Sequence, residues 1–234
     1  MNKIGIIGAM EVELASLRKR LASPCEKKSG GLVFTEGTLN GVNVVLVKSG
    51  VGKVNAALCA QRLILEFGVS AIINTGIAGA MAHGLKVLDF VVSTDALYHD
   101  MDATGFGYKV TQIPQMECSD FDAAPELVEL AKKAFDSLDE LKGHSLVCGR
   151  IASGDQFISD KSVKEKIRTD CNPACVEMEG AAIAHAAYLS KVPFVIIRCM
   201  SDMADDSGES TYDFNEEAAA DMSAALVYKM IQMI

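Results

Sequence analysis

Carboxylates recur just beyond the apolar runs of this sequence. Glu11 and Glu13 follow the run at 3–9, Glu177 and Glu179 flank the end of the run at 174–178, and Asp202 and Asp205 follow the run at 193–200. Beside them stand Met10 and Met178, Phe157 in the segment Gly154-Asp155-Gln156-Phe157, and two glycine-rich stretches, Ser49-Gly50-Val51-Gly52 and Thr75-Gly76-Ile77-Ala78-Gly79. In open α/β sheets ligands collect at the carboxyl ends of the strands, so these segments share one rim if the apolar runs are strands. Such a rim suits a compact, partly aromatic ligand that is neutral or cationic. A phosphate dianion is disfavoured there. One nearby carboxylate repels it by about 4 kcal/mol at roughly 4 Å with an effective dielectric near 20, and no Lys or Arg follows the first run before Arg18. The first loop reads G-x-x-G with Gly5 inside the run, not the G-x-G-x-x-G of dinucleotide binders. Walker-type nucleotidases and NAD enzymes are therefore disfavoured.

The elements that must position these residues follow from periodicity and punctuation. Apolar runs at 3–9, 71–75, 87–97, 145–153, 174–178 and 193–200 predict strands. Segments 32–39 and 42–48 flank Asn40-Gly41, which predicts a hairpin with a type I′ turn. Amphipathic spacing predicts helices at 10–21, 53–67, 125–138, 161–168 and 213–230, and the small residues at 180–190 predict a closely packed one. Residues 49–52 and 76–80 read as glycine loops. Residues 98–122 read as a long irregular segment, longer than loops usually run, which suggests function or an oligomer contact. Strands alternating with helices predict an α/β fold of three layers, αβα. Its central twisted sheet is mixed and partly parallel, with helices on both faces and the antiparallel hairpin added. No linker, repeat or low-complexity stretch divides the chain, so residues 1–234 read as one domain.

Composition bounds the function. The 234 residues are 50% hydrophobic and 23% charged, which excludes disorder and gives enough chain for a sizeable core. Lys plus Arg number 22 against 31 Asp plus Glu, a formal net charge of −9. With no basic run to offset it, nucleic acid and anionic lipid are poor partners. The charge-free stretch 67–85 is interrupted by Gly68, Asn74, Thr75, Gly76, Gly79, His83 and Gly84, so no membrane span is expected. The N-terminus lacks the long apolar region and cleavage site of a signal peptide, so a cytoplasmic protein is expected. The seven cysteines are scattered without a C-x-x-C pair, and the four histidines lack ligand spacing. Reduced thiols and no metal are the expectation.

Read together, GIIGAMEVE, KSGVGKVNAA, INTGIAGA, SGDQFI, CVEMEGAAIAH, VPFVIIRCMSDMAD and TYDF resemble the bacterial 5′-methylthioadenosine/S-adenosylhomocysteine nucleosidases of the purine nucleoside phosphorylase/uridine phosphorylase superfamily. The motifs occur in order from residue 4 to about residue 214, nearly the whole chain. The resemblance implies a nucleoside phosphorylase-like fold and hydrolysis of the bond between adenine and ribose. The implied substrates are 5′-methylthioadenosine and S-adenosylhomocysteine, with 5′-deoxyadenosine a further candidate. It also implies a homodimer whose partner helps close the 5′ end, with 98–122 the candidate contact, no metal or organic cofactor, and a place in methionine salvage.

By the same resemblance, Asp202 is the general acid that protonates the purine, Glu13 positions and activates the water, and Glu179 grips the ribose hydroxyls. Cleavage through a ribosyl oxocarbenium ion needs each of these three: a proton on the base, a held water and nearby negative charge. Ser201 would orient Asp202. Arg198 lies near the ribose and Glu179, and Glu177 would share a face with Glu179 in extended backbone. Phe157 matches the ring that stacks on adenine, with backbone at Phe157 and Ile158 reading the base edge. Met10 and Met178 match the apolar walls of the sugar pocket. Tyr212 falls where the family usually has Phe near the 5′ substituent. Ile77 stands where the family usually has a serine, whose counterpart in phosphorylases helps bind phosphate, so Ile77 favours hydrolysis over phosphorolysis.

Plainer readings stand beside these. Spacing alone does not choose Glu13 over Glu11, which lie about 200° apart on a helix. Asp202 could cap a helix, Glu177 or Glu179 could cap the helix starting at Gly180, and Arg198 could serve a buried ion pair. Asp155 reads as a loop-stabilising residue. A phosphorylase, a futalosine hydrolase of the same fold, and a nucleoside-binding module without turnover are the alternative functions.

Overall fold

The first strand, β1 (Ile4–Gly8), is buried along its whole length because it is flanked on both sides by parallel strands, β4 (Val42–Lys48) and β5 (Ala71–Ala80). A strand with both edges and both faces covered reads as a continuous apolar run, as this one does. The structure is a computed structural model. It describes residues 2–205 and 208–234, with residues 208–214 described in backbone alone. The remaining elements are α1 (Ala15–Arg20), β2 (Ala22–Ser29), β3 (Leu32–Leu39), α2 (Lys53–Phe67), β6 (Phe90–Tyr98), β7 (Asp120–Asp122), α3 (Pro125–Asp136), β8 (Leu146–Ser153), α4 (Lys161–Cys171), β9 (Cys175–Glu177), α5 (Gly180–Ser190), β10 (Phe194–Asp202) and α6 (Gly208–Gln232).

These strands form one mixed sheet with helices on both faces, as the sequence predicts. On one face α2 and α5 pack through Ala56, Ala60, Leu63, Ala182 and Ile183. On the other, α1, α3 and α6 pack through Leu17, Leu127, Ala131, Ala220 and Leu226. The hairpin turns at Asn40 (φ 49°) and Gly41 (φ 83°), the two positive angles of a type I′ turn.

The sheet also closes on itself. The lower part of β5 pairs with β1, while its far end, Gly79 and Ala80, pairs antiparallel with β9. From β9 the pairing passes to β8, β6 and β10, and β10 pairs back onto β5. Five strands thus make a closed circuit, and β1, β4, β3 and β2 extend from it as an open wing.

Several boundaries differ from the sequence reading. The predicted glycine loop at 76–80 is strand, so β5 runs unbroken to Ala80. Its glycines serve close approach rather than a turn: a β-carbon at Gly79 would sit 2.8 Å from Ala204 Cβ and 2.9 Å from Asp202 Oδ1. The helix predicted from residue 10 starts at Ala15, because the side chain of Glu13 turns back to bind the amides of Ala9 and Met10. The strand β2 gives no sequence signal. It is an exposed edge with no buried face, so it lacks the alternation that marks a strand. Within the long segment 98–122 lie a 3₁₀ turn at Thr104–Phe106 and β7, which pairs with β6.

Candidate active site

The upper ends of β1, β5, β9 and β10 open into a cavity of about 450 Å³. Glu13, Glu177, Glu179 and Asp202 line it together with Met10, Val51, Ile77, Phe157, Met178 and Ser201, and with the small residues Ala9, Ala78 and Gly79. Ile158 lines a small adjoining recess that shares Phe157, Met178 and Asp202 with the cavity. Of the residues predicted from sequence, Arg198 lies behind this wall, and the side chain of Tyr212 lies outside the described residues.

Glu13 is held by backbone alone. Its Oε2 accepts from the N–H groups of Ala9 (2.6 Å) and Met10 (3.0 Å), and its Oε1 from that of Ile77 (3.1 Å). The close approach of β5 depends on Gly76, where any β-carbon would overlap both Glu13 and Arg198. Burial raises the Glu13 pKa; the charge of Arg198 and the three amides oppose the rise. Glu11 points elsewhere, into an ion pair with Arg18 (2.8 Å). Geometry thus makes the choice between the two glutamates that spacing left open.

Glu177 and Glu179 divide their work differently from a shared face. The Glu177 carboxylate is fully engaged. One oxygen accepts from the N–H groups of Glu179 (3.1 Å) and Gly180 (2.7 Å) and pairs with Arg198, and the other accepts from the Ser153 hydroxyl. It is Glu177 that caps α5. Glu179 occupies the N-cap position but makes no side-chain cap. Instead its Oε1 accepts from Gly52 N–H at 2.9 Å, which draws the 49–52 loop over the site. Burial first, then the neighbouring charge of Glu177, pushes the Glu179 pKa up to about 7 against the pull of Arg198.

Arg198 is 1% exposed and serves as the common cation. It pairs with Glu177, lies 3.8 Å from Glu179 Oε2, and donates to Asn74 Oδ1 at 2.7 Å. Asn74 in turn donates to the Ile7 carbonyl at 2.9 Å, which ties Arg198 to β1.

Asp202 ends β10. Its Oδ1 accepts from Ala204 N–H (2.8 Å) and its Oδ2 from the Ser201 hydroxyl (2.8 Å). Burial raises its pKa, partly offset by those two bonds. A carboxyl whose hold on a proton is strengthened by burial is suited to donate it. Phe157 lines the cavity with its side chain half exposed, an aromatic face suited to an aromatic ligand. Asp155 accepts from Lys53 N–H (2.9 Å), an anchor between two loops.

Sequence reasoning missed Asn74 and Ser153. Each is a polar residue inside an apolar run, and that position was the available signal. Among the described residues no cluster of three His, Cys, Asp or Glu could hold a metal ion, and no helix is long and apolar enough to cross a membrane.

A closed circuit of strands whose rim gathers four carboxylates, three of them around one buried arginine, defines the class. The sequence model of the phosphorylase superfamily matches residues 3–232, and the chain belongs to that superfamily. A 5′-methylthioadenosine/S-adenosylhomocysteine nucleosidase of Staphylococcus carnosus is 41% identical over 99% of this chain and 100% of its own. The crystal structure of the Neisseria meningitidis nucleosidase in complex with methylthio-immucillin-A is 37% identical, covers 100% of both chains and superposes with a TM-score of 0.95. The Colwellia psychrerythraea nucleosidase in complex with adenine is 42% identical, covers 98% of this chain and 94% of its own, and superposes with a TM-score of 0.93. Within the superfamily, the chain falls among the 5′-methylthioadenosine/S-adenosylhomocysteine nucleosidases.

Proposed function

We propose that this protein hydrolyses the N-glycosidic bond of 5′-methylthioadenosine and S-adenosylhomocysteine, releasing adenine and the 5′-substituted ribose. The observation that carries the reading is the convergence of Glu13, Glu179 and Asp202 on one cavity. The relatives' names and their complexes with adenine and a nucleoside analogue support it.

In this reading Asp202, oriented by Ser201, gives its proton to the imidazole-ring nitrogen of adenine. The electron pair of the N-glycosidic bond leaves with the base. Water adds to the sugar carbon, and its proton passes to Glu13. Glu179 accepts the ribose hydroxyls and, with Glu177 and Arg198 behind it, sets negative charge beside the forming cation. Phe157 and the backbone at Ile158 hold the purine, and Met10 and Met178 wall the sugar. Ile77 contributes its amide to Glu13 and an apolar side chain to the cavity, so phosphate finds no hydroxyl there.

We further propose that residues 1–234 act as a single domain and as a homodimer in the cytoplasm, serving methionine salvage. Val54, Leu58 and Leu65 lie exposed at helical spacing along α2, next to Val51 at the cavity, and Phe106 is exposed in the 98–122 segment. An uncovered apolar stripe continuous with the site supports a second copy completing the 5′ end.

The test is adenine release in phosphate-free buffer from methylthioadenosine, adenosylhomocysteine and inosine, with the wild type and Asp202→Asn. Release from the first two without phosphate is expected, and Asp202→Asn should lower kcat by roughly 10²–10⁴-fold. A requirement for phosphate would make it a phosphorylase. Tight binding of adenosine analogues with no release over hours would make it a binding module.

A further inference from the structure

The helix α4 carries a lysine on its inward face. Its buried positions are Lys164, Ile167 and Cys171, spaced three and seven residues apart on one stripe. Lys161, Glu165 and Lys166 of the same helix are exposed. Lys164 is 9% exposed, and its ammonium donates to the Met203 carbonyl in the turn that follows Asp202. A buried ammonium is costly without partners, and an apolar side chain would fill the same space at less cost. The cation therefore calls for a reason beyond packing.

That turn is tightly constrained. Ala204 is fully buried in the left-handed region (φ 49°), its N–H donates to Asp202 Oδ1 at 2.8 Å, and its methyl packs on Gly79. Lys164 holds this turn through the Met203 carbonyl, one residue beyond Asp202 of the cavity wall, and does not itself line that cavity.

We propose that Lys164 is a positioning residue for Asp202: it locks the 203–205 turn through the Met203 carbonyl and places a fixed positive charge behind the carboxyl that must give up a proton. The proposal rests on the reading of Asp202 as general acid. As the proton passes to the base, Asp202 becomes a carboxylate, and a preorganised ammonium nearby stabilises the charge that develops. Lys164 on α4 and Asp205 in the turn are the charged groups bearing on Asp202, with opposite signs, while Glu13, Glu177 and Glu179 share its cavity and Arg198 lies behind them on β10. Removing the lysine charge takes away a force favouring ionised Asp202. The protonated acid then persists to higher pH.

The experiment measures kcat and KM for adenine release from about pH 5 to about pH 9 in Lys164→Met, Lys164→Gln, Lys164→Arg and Asp202→Asn, with Tm for each. Lys164→Met should lose about tenfold or more in kcat with KM within about twofold, and its alkaline limb should move up by roughly half a unit to one unit. Lys164→Gln can still donate to the carbonyl, so it should regain much of kcat but keep the shifted limb. Lys164→Arg should restore both. An Lys164→Met enzyme with wild-type kcat and an unmoved limb overturns the proposal. If that variant fails to fold, Lys164→Gln with a wild-type limb overturns it instead. Near-wild-type turnover by Asp202→Asn would sink the acid reading itself. An inactive Asp202→Asn beside wild-type Lys164 variants would sink the lysine inference alone.

Discussion

Arg198 and Glu177 form an ion pair beneath the cavity, with side chains 1% and 3% exposed. The guanidinium also faces Glu13 and Glu179, whose charges, with that of Glu177, hold it firmly protonated. Three carboxylates around one cation leave an excess of negative charge. Burial raises the pKa of Glu13, and burial together with the charge of Glu177 raises that of Glu179. A ligand that develops positive charge on its sugar relieves this excess, so the site is better matched to the transition state than to the neutral substrate.

Removing the cation should therefore cost more than removing a surface charge. Arg198→Met leaves Glu177 buried without its partner, and a loss of about 3–5 kcal/mol in denaturant unfolding is expected. A loss below about 1 kcal/mol would mean that the pair is not what holds the floor of the site.

Glu179 makes stability depend on pH with a definite sign. Its folded pKa of about 7 exceeds the ordinary value of 4.5, so the native state binds more protons between those values. Stability gained from this proton is full below pH 4.5 and lost as pH rises through 7. Glu179→Gln removes the dependence. Its Tm should equal or trail the wild type at about pH 5 and exceed it at about pH 8, by up to about 3 kcal/mol in stability. Parallel curves for the two proteins would show that Glu179 titrates normally.

At Gly76 the constraint is steric. A β-carbon there would collide with Arg198 and Glu13, both buried and unable to swing away freely. Gly76→Ala should lower Tm and reduce kcat by about 10²-fold or more, since it displaces two site residues at once. Full activity in this variant would contradict the packing described.

Glu13→Gln tests the carboxylate held by three amides. An amide group can accept on one side only, so its NH₂ must face at least one backbone donor. Expected are a loss of about 1–3 kcal/mol in stability and a fall in kcat of roughly 10²-fold. A variant that keeps its turnover would remove Glu13 from water activation.

Much of this was legible in the sequence, for physical reasons. Buried strands leave continuous apolar runs, and the residues just past them form the rim; hence Glu11, Glu13, Glu177, Glu179, Asp202 and Asp205 could be listed together before any coordinates, while the choice of Glu13, Glu179 and Asp202 among them comes from the family resemblance. The turn at Asn40-Gly41 is dictated by local chemistry. The failures are equally instructive. Gly76 and Gly79 looked like a loop because glycine usually marks a turn, whereas here it marks a place where side chains from other elements press on a strand. Whether Glu177 or Glu179 caps α5 depends on where Arg198 and Ser153 lie, and both are distant in sequence. Lys164 reads as one more surface charge until α4 is docked.

The closed circuit of strands has a consequence for how this chain meets others. Joining β10 back onto β5 removes the hydrogen-bonding edges on that side of the sheet, and the long edge left open is β2. That strand carries Pro24, Lys27 and Lys28, the kind of residues that discourage a neighbouring backbone from adding to it. Addition of a further strand at β2 is thus disfavoured.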